Sequence, residues 1–193
     1  MKKKIQFFKA SVRGMGLLIR YGSAKVSLWR EQAMIDDLTG LYNRRFLHEA
    51  GKRELAKALR SEWQGEGYSV SFIFVDIDNL KRINDEEGHA AGDKVLQSVA
   101  ALLEKCCREV DIVSRVGGDE FNILLPQTGK EGAQLVIDRL KELAKKELVS
   151  SKGRPISLSC GLAQEFSLKA LKETADAQMY QQKGSKMGKK DDV

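Results

Sequence analysis

A chain of 193 residues, 42% hydrophobic and 31% charged, has material for one domain with its own core and an extension, and is too apolar for wholesale disorder. Its two prolines exclude a proline-rich or collagen-like architecture. The net charge of +6 is concentrated at the start: residues 1–33 carry eight Lys and Arg against Glu31, so the rest of the chain sits near neutrality and lacks the basic face of a nucleic-acid-binding domain.

In chain order, the first predicted element is a helix in residues 1–35. Ile5, Phe8, Val12, Met15, Ile19, Gly22, Val26, Trp29 and Ala33 alternate at spacings of three and four, the seam that a helix offers to a partner. The seam favours dimerisation or docking over a basic helix lying on anionic lipid, or one that packs on its own domain. The apolar stretch from Gly14 to Ile19 is far short of the roughly 20 residues of a membrane span. Turn and capping residues follow at 36–40, then a helix over 44–60 that ends at residues 64–67. Val70 to Val75 is β-branched and aromatic, a buried strand that runs into Asp76-Ile77-Asp78-Asn79. A helix over 93–106 precedes a hairpin, in which Ile112-Val113 and Phe121 to Leu125 flank Gly117-Gly118. A helix over 129–146, a strand over 156–162 and a helix over 168–182 complete the pattern. The order contains βαββαβ, an α+β ferredoxin-like core: an antiparallel sheet with helices on one face. Cys106, Cys107 and Cys160 offer neither a disulfide framework nor metal-knuckle spacing, and read as ordinary thiols in a reducing cytoplasm.

Three constellations carry chemistry. Asp76 and Asp78 end a buried strand, a rigid platform from which carboxylates hold a hard cation through oxygen. Gly117-Gly118-Asp119-Glu120 puts two acids beside glycines that let a phosphate or a second backbone come close. Both lie in one sheet, so acids from the two segments are expected to meet at one metal with positions left open for triphosphate oxygens. In the third, Asn84 and Asp93 flank a glycine-bearing loop that includes His89. Their amide and carboxylate suit a guanine edge, although Asp93 also has the character of a helix N-cap.

With Arg115 before it, Gly117–Phe121 reads GGDEF, and the sequence resembles the GGDEF family of diguanylate cyclases over residues 36–187. The opening signature is Asp36-Asp37-Leu38-Thr39-Gly40-Leu41-Tyr42-Asn43-Arg44-Arg45. The second runs from Asp76 through Lys81, Asn84, Gly88 and His89 to Asp93. The last comprises Ser159-Cys160-Gly161 and Ala175-Asp176, Met179-Tyr180 and Lys183. Four spaced signatures in order are specific where a lone Gly-Gly turn is not.

The resemblance implies an enzyme that joins two GTP into cyclic di-GMP with release of pyrophosphate, acting as a homodimer with one GTP per subunit. It implies Mg²⁺ or Mn²⁺ on Asp76, the Ile77 carbonyl, Asp119 and Glu120, with Asp119 also activating the ribose 3′-hydroxyl. Asn84 and Asp93, with His89 nearby, would read guanine. Lys81 and Lys183 would face the triphosphate near Gly117 and Gly118. Arg108 and Asp111, an Arg-x-x-Asp pair upstream of the turn, mark a product-inhibition site to which Arg139 contributes. Two positions depart from the family pattern: Met187 stands where arginine is common, and Leu80 where an aromatic is. The rival is a catalytically silent receptor that binds cyclic di-GMP through Arg108 and Asp111. On this reading residues 1–35 are a leader that dimerises or docks an upstream regulatory partner, 36–187 are the cyclase domain, and 188–193 are a charged tail. The expected location is the cytoplasm, with peripheral membrane contact through the leader and no nucleic-acid partner.

Overall fold

The computed structural model describes residues 34–64 and 67–164. The described residues lie almost entirely in the unit that begins at Asp36. The predicted leader helix and the predicted helix over 168–182 lie outside them, as do Lys183 and Met187.

The elements are β1 (Tyr42–Asn43), α1 (Arg44–Gln64), β2 (Val70–Ile77), α2 (Leu80–Glu87), α3 (His89–Cys106), β3 (Ile112–Arg115), β4 (Glu120–Pro126), α4 (Lys130–Glu147) and β5 (Leu158–Ala163). They form one five-stranded sheet in the order β1-β3-β4-β2-β5. β1 pairs with β3 in parallel, and every other pairing is antiparallel. Without β1, α1 and the short α2, the chain runs β2-α3-β3-β4-α4-β5, the expected βαββαβ core.

Side chains that alternate along the strands divide two cores. Ile73, Val75 and Ile77 of β2 join Phe121, Ile123 and Leu125 of β4 under Val95, Val99 and Leu103 of α3 and Ile137 and Leu140 of α4. Phe72 and Phe74 face the other way, with Leu124 and Ala163, beneath Leu47, Ala50, Leu55 and Ala58 of α1. Helices therefore cover both faces of the sheet, not one as expected. The reason is in β2, all eight residues of which are buried. A run without polar alternation needs apolar cover on both sides. Phe121, the last letter of the GGDEF string, is fully buried. Removing a side chain of that size from water contributes roughly 1.5–3 kcal/mol, so its place in the motif is packing.

Several bounds shift. α3 begins at His89, four residues before the expected start. Gly88 occupies its N-cap position, so Asp93 lies one turn inside the helix and does not cap it. β1 and α2 had no place in the expected order. α1 is capped by Asn43, whose Oδ1 accepts from the backbone N–H of Arg45 at 3.0 Å and of Phe46 at 3.2 Å. Cys106 and Cys160 are buried and Cys107 is half-buried, all three as free thiols. Burial, with Asp111 and Cys106 nearby, pushes the Cys107 thiol up to about 12.

Candidate active site

β2 and β4 bring the first two constellations together. Asp76 stands directly opposite Glu120, and on its other side opposite Ser159 of β5. Residues so paired have Cβ atoms about 4.5–5.5 Å apart, and like charges placed this way destabilise a sheet. Asp76 is buried at 4% exposure, whereas Glu120 is exposed. A divalent cation would relieve this opposition, and the donor set suits one: hard carboxylate oxygens at a strand end, with the backbone of Ile77 alongside. Ile77 is held there by its N–H, which donates to the Asp119 carbonyl at 3.2 Å. Asp119 thus closes the hairpin turn onto the end of β2. Among the described residues, no three His, Cys, Asp or Glu side chains gather in one cluster that could hold a metal. The opposed pair is Asp76 and Glu120, with half-exposed Asp119 beside them on the turn.

Gly117 has a steric reason. A Cβ there would lie 2.7 Å from Glu120 Oε2, so the carboxylate occupies the space that the glycine leaves. The turn is held by two arginines. Arg115 donates to the Gly118 carbonyl through Nη2 at 2.9 Å and reaches Asp36 Oδ1 through Nη1 at 3.2 Å. Arg44 Nε donates to the Val116 carbonyl at 2.9 Å. Asp36 also accepts from the Thr39 N–H at 2.9 Å and hydroxyl at 2.6 Å. Burial opposes its ionisation, but these bonds and the Arg115 charge outweigh burial and hold its carboxyl below the usual value. Sequence reasoning placed Asp36 in a turn and gave no task to Arg44 or Arg115. Their positions next to two signatures were the available signal.

Asp78 is turned to β5, where it accepts from Ser157 Oγ at 2.5 Å and Ser159 Oγ at 2.6 Å. Asn79 then takes a left-handed conformation, φ 61°, which turns the chain into α2. Lys81 is exposed in the first turn of that helix. Asn84, in its second turn, lies against the start of α3: a Cβ on Gly92 would fall 1.8 Å from Asn84 Oδ1. Gly88, at φ 86°, is the single residue between the two helices. His89 and Asp93 are exposed on the first turns of α3, so the structure gathers Asn84, His89 and Asp93 at one corner.

Arg108 and Asp111 lie between α3 and β3. The Asp111 carboxylate is 1% exposed and accepts from the Arg108 backbone N–H at 2.7 Å and from its Nη2 at 2.9 Å. Nη2 also meets Thr128 Oγ1 at 2.6 Å and the Pro126 carbonyl at 3.2 Å. The Arg108 side chain remains 56% exposed, aimed but accessible. Arg139 reaches the Cys106 carbonyl at 3.3 Å, two residues before Arg108.

Comparison with known proteins identifies the family. The family described as "Diguanylate cyclase, GGDEF domain" matches residues 33–189. The chain is 40% identical to diguanylate cyclase DgcP of Pseudomonas aeruginosa over 131 residues, which cover 68% of the chain and 19% of that protein. It is 36% identical to diguanylate cyclase DgcS of Shewanella oneidensis over 157 residues, 80% of the chain and 51% of that protein. The chain thus spans about half or less of the length of these relatives. The crystal structure of the GGDEF domain of DgcB from Caulobacter crescentus in complex with c-di-GMP is similar at a TM-score of 0.72 and 26% identity, covering 79% of this chain and 91% of that one. A GGDEF string on the β3–β4 turn, its acids set against β2 and its match over most of the sequence place the chain in the diguanylate cyclase GGDEF-domain family.

Proposed function

We propose that the chain condenses two GTP into cyclic di-GMP. The observation that carries this reading is the pairing of Asp76 with Glu120 beside Gly117, two opposed carboxylates at the mouth of a glycine turn. Mg²⁺ or Mn²⁺ would be held by Asp76, the Ile77 carbonyl, Asp119 and Glu120, and when bound would neutralise triphosphate charge. Gly118, with open space where a side chain would stand, leaves room for phosphate oxygens beside Gly117, and Lys81 and Lys183 supply positive charge to them. Asn84 and Asp93 read the guanine edge, with His89 beside them.

Each half-reaction forms one phosphorus–oxygen bond and breaks one. The 3′-hydroxyl of one GTP attacks the α-phosphate of the other, pyrophosphate leaves, and Asp119 draws off the hydroxyl proton. Positioning is most of the catalysis, so two subunits must face one another, and residues 1–35 bring them together or dock a regulator. We place the reaction in the cytoplasm, the reducing compartment that suits three cysteines outside any disulfide. None of the described helices is long and apolar enough to cross a membrane.

Chromatography of the products of GTP, with and without Mg²⁺, tests the reading. Cyclic di-GMP formed only with the metal supports it. Binding of cyclic di-GMP with no turnover, in a protein shown to be dimeric, would replace it with the silent-receptor reading.

Arg108, Asp111 and Arg139 form the site of product inhibition. Guanidinium grips phosphate and guanine in bidentate fashion. Arg108→Ala is expected to raise the cyclic di-GMP concentration for half-inhibition at least about tenfold, the loss of roughly one charge-assisted contact. Inhibition curves on the two proteins measure it.

A further inference from the structure

α2 is too short to hold itself. It has eight residues, of which only Leu80 and Ile83 are buried, and a helix of that length is marginal in water without tertiary support. Yet it carries Asn84 to the corner where the base is proposed to bind. Support comes at its C-terminal end from a small hairpin between α4 and β5. Val149 bridges to Pro155, Ser150 N–H donates to the Arg154 carbonyl at 2.8 Å, and Gly153 turns the chain at φ 74°.

The hairpin grips the end of α2 at several points. Buried Ser150 donates its hydroxyl to Glu87 Oε1 at 2.8 Å, and the Lys152 N–H donates to Glu87 Oε2 at 3.1 Å. Lys152 Nζ donates to the Glu86 carbonyl at 2.9 Å, a cation on a helix C-terminus. Arg154 pairs with the Glu86 side chain, which also accepts from Arg82 at 2.7 Å. Glu87 directly precedes Gly88, and Gly88 N–H donates to the Asn84 carbonyl at 3.0 Å.

We propose that this hairpin is a strap for the guanine corner and that Glu87 and Ser150 are positioning residues for base recognition. They touch no substrate. They fix the angle between α2 and α3, and through it the Asn84 amide relative to Asp93. The inference rests on the reading of Asn84 and Asp93 given above, and adds what determines their geometry.

The test uses the full chain with Glu87→Ala, Ser150→Ala and the double variant. Each single variant is expected to raise KM for GTP about tenfold, keep kcat within about twofold, and lower the preference for GTP over inosine triphosphate. The double variant is expected to do no more than Glu87→Ala alone, because that substitution already removes the Ser150 contact. Ser150→Ala is the milder change and keeps the test open if Glu87→Ala folds poorly. An unchanged KM and base preference in Ser150→Ala and Glu87→Ala overturns the strap, as does a fall in kcat with melting temperature at constant KM. Calorimetry with a non-hydrolysable GTP analogue separates the two levels. A parent protein that binds the analogue but makes no product sinks the cyclase reading alone, whereas affinities untouched by either substitution sink the strap alone.

Discussion

Glu120→Ala is expected to cut cyclic di-GMP formation about a hundred- to a thousandfold while the domain stays folded, the scale seen when one electrostatic stabiliser of a reaction is removed. Its side chain is exposed and contributes little packing. It stands opposite buried Asp76, so truncation also removes a like-charge opposition. In chelator, then, the variant should be more stable than the parent, by about 0.2–1 kcal/mol. With Mg²⁺ present the order should reverse, because the parent gains a bound ion that the variant holds poorly. Melting curves in the two conditions, beside a chromatographic turnover assay, check both halves. Asp119→Ala should lose turnover comparably. Unaltered product formation by both variants would remove the roles assigned to these carboxylates.

Gly92→Ala is expected to weaken GTP binding ten- to a hundredfold with little loss of stability. Alanine is better than glycine inside a helix by roughly 0.5–1 kcal/mol. Its methyl group, however, would lie 1.8 Å from Asn84 Oδ1, a distance no rotamer adjustment of the methyl can relieve. The Asn84 amide must swing away, and with it the donor and acceptor proposed for the base. Asn84→Ala should therefore cost much less in the Gly92→Ala background than alone, the non-additivity expected of two groups that share one space. Calorimetric titration with a GTP analogue on the four proteins measures the coupling. Full additivity would mean that Asn84 does not depend on the glycine.

Local chemistry made much of this legible. The Gly-Gly turn between two apolar runs gave the β3–β4 hairpin, and the β-branched run before Asp76 gave β2. Their register, with Asp76 against Glu120, followed from neither, because pairing depends on alternation across the whole sheet. The second helical layer is not legible in Val70–Val75, because an apolar run shows that a strand is buried and not which element covers each face. α2 escaped because Asn79 starts it with a left-handed residue and not with a capping side chain. Asp93 was legible as a cap only by residue type. The true cap position is five residues earlier, at Gly88, whose φ of 86° breaks one helix and admits the next. The contacts of Ser150 with Glu87 and of Arg115 with Asp36 join residues 63 and 79 positions apart, a separation at which spacing carries no signal.

The position of β2 in the sheet also bears on how the chain folds. The hairpin strands β3 and β4 are near neighbours in sequence and can zip at small entropic cost. β2, by contrast, is flanked only by β4 and β5, partners much further on: Asp76 pairs with Glu120, 44 residues away, and Ile73 with Leu162, 89 residues away. Such distant pairings slow folding. On an emerging polypeptide, β2 therefore waits, buried on neither face, until residues near 163 have been synthesised. That interval is when the nascent chain has most need of a chaperone.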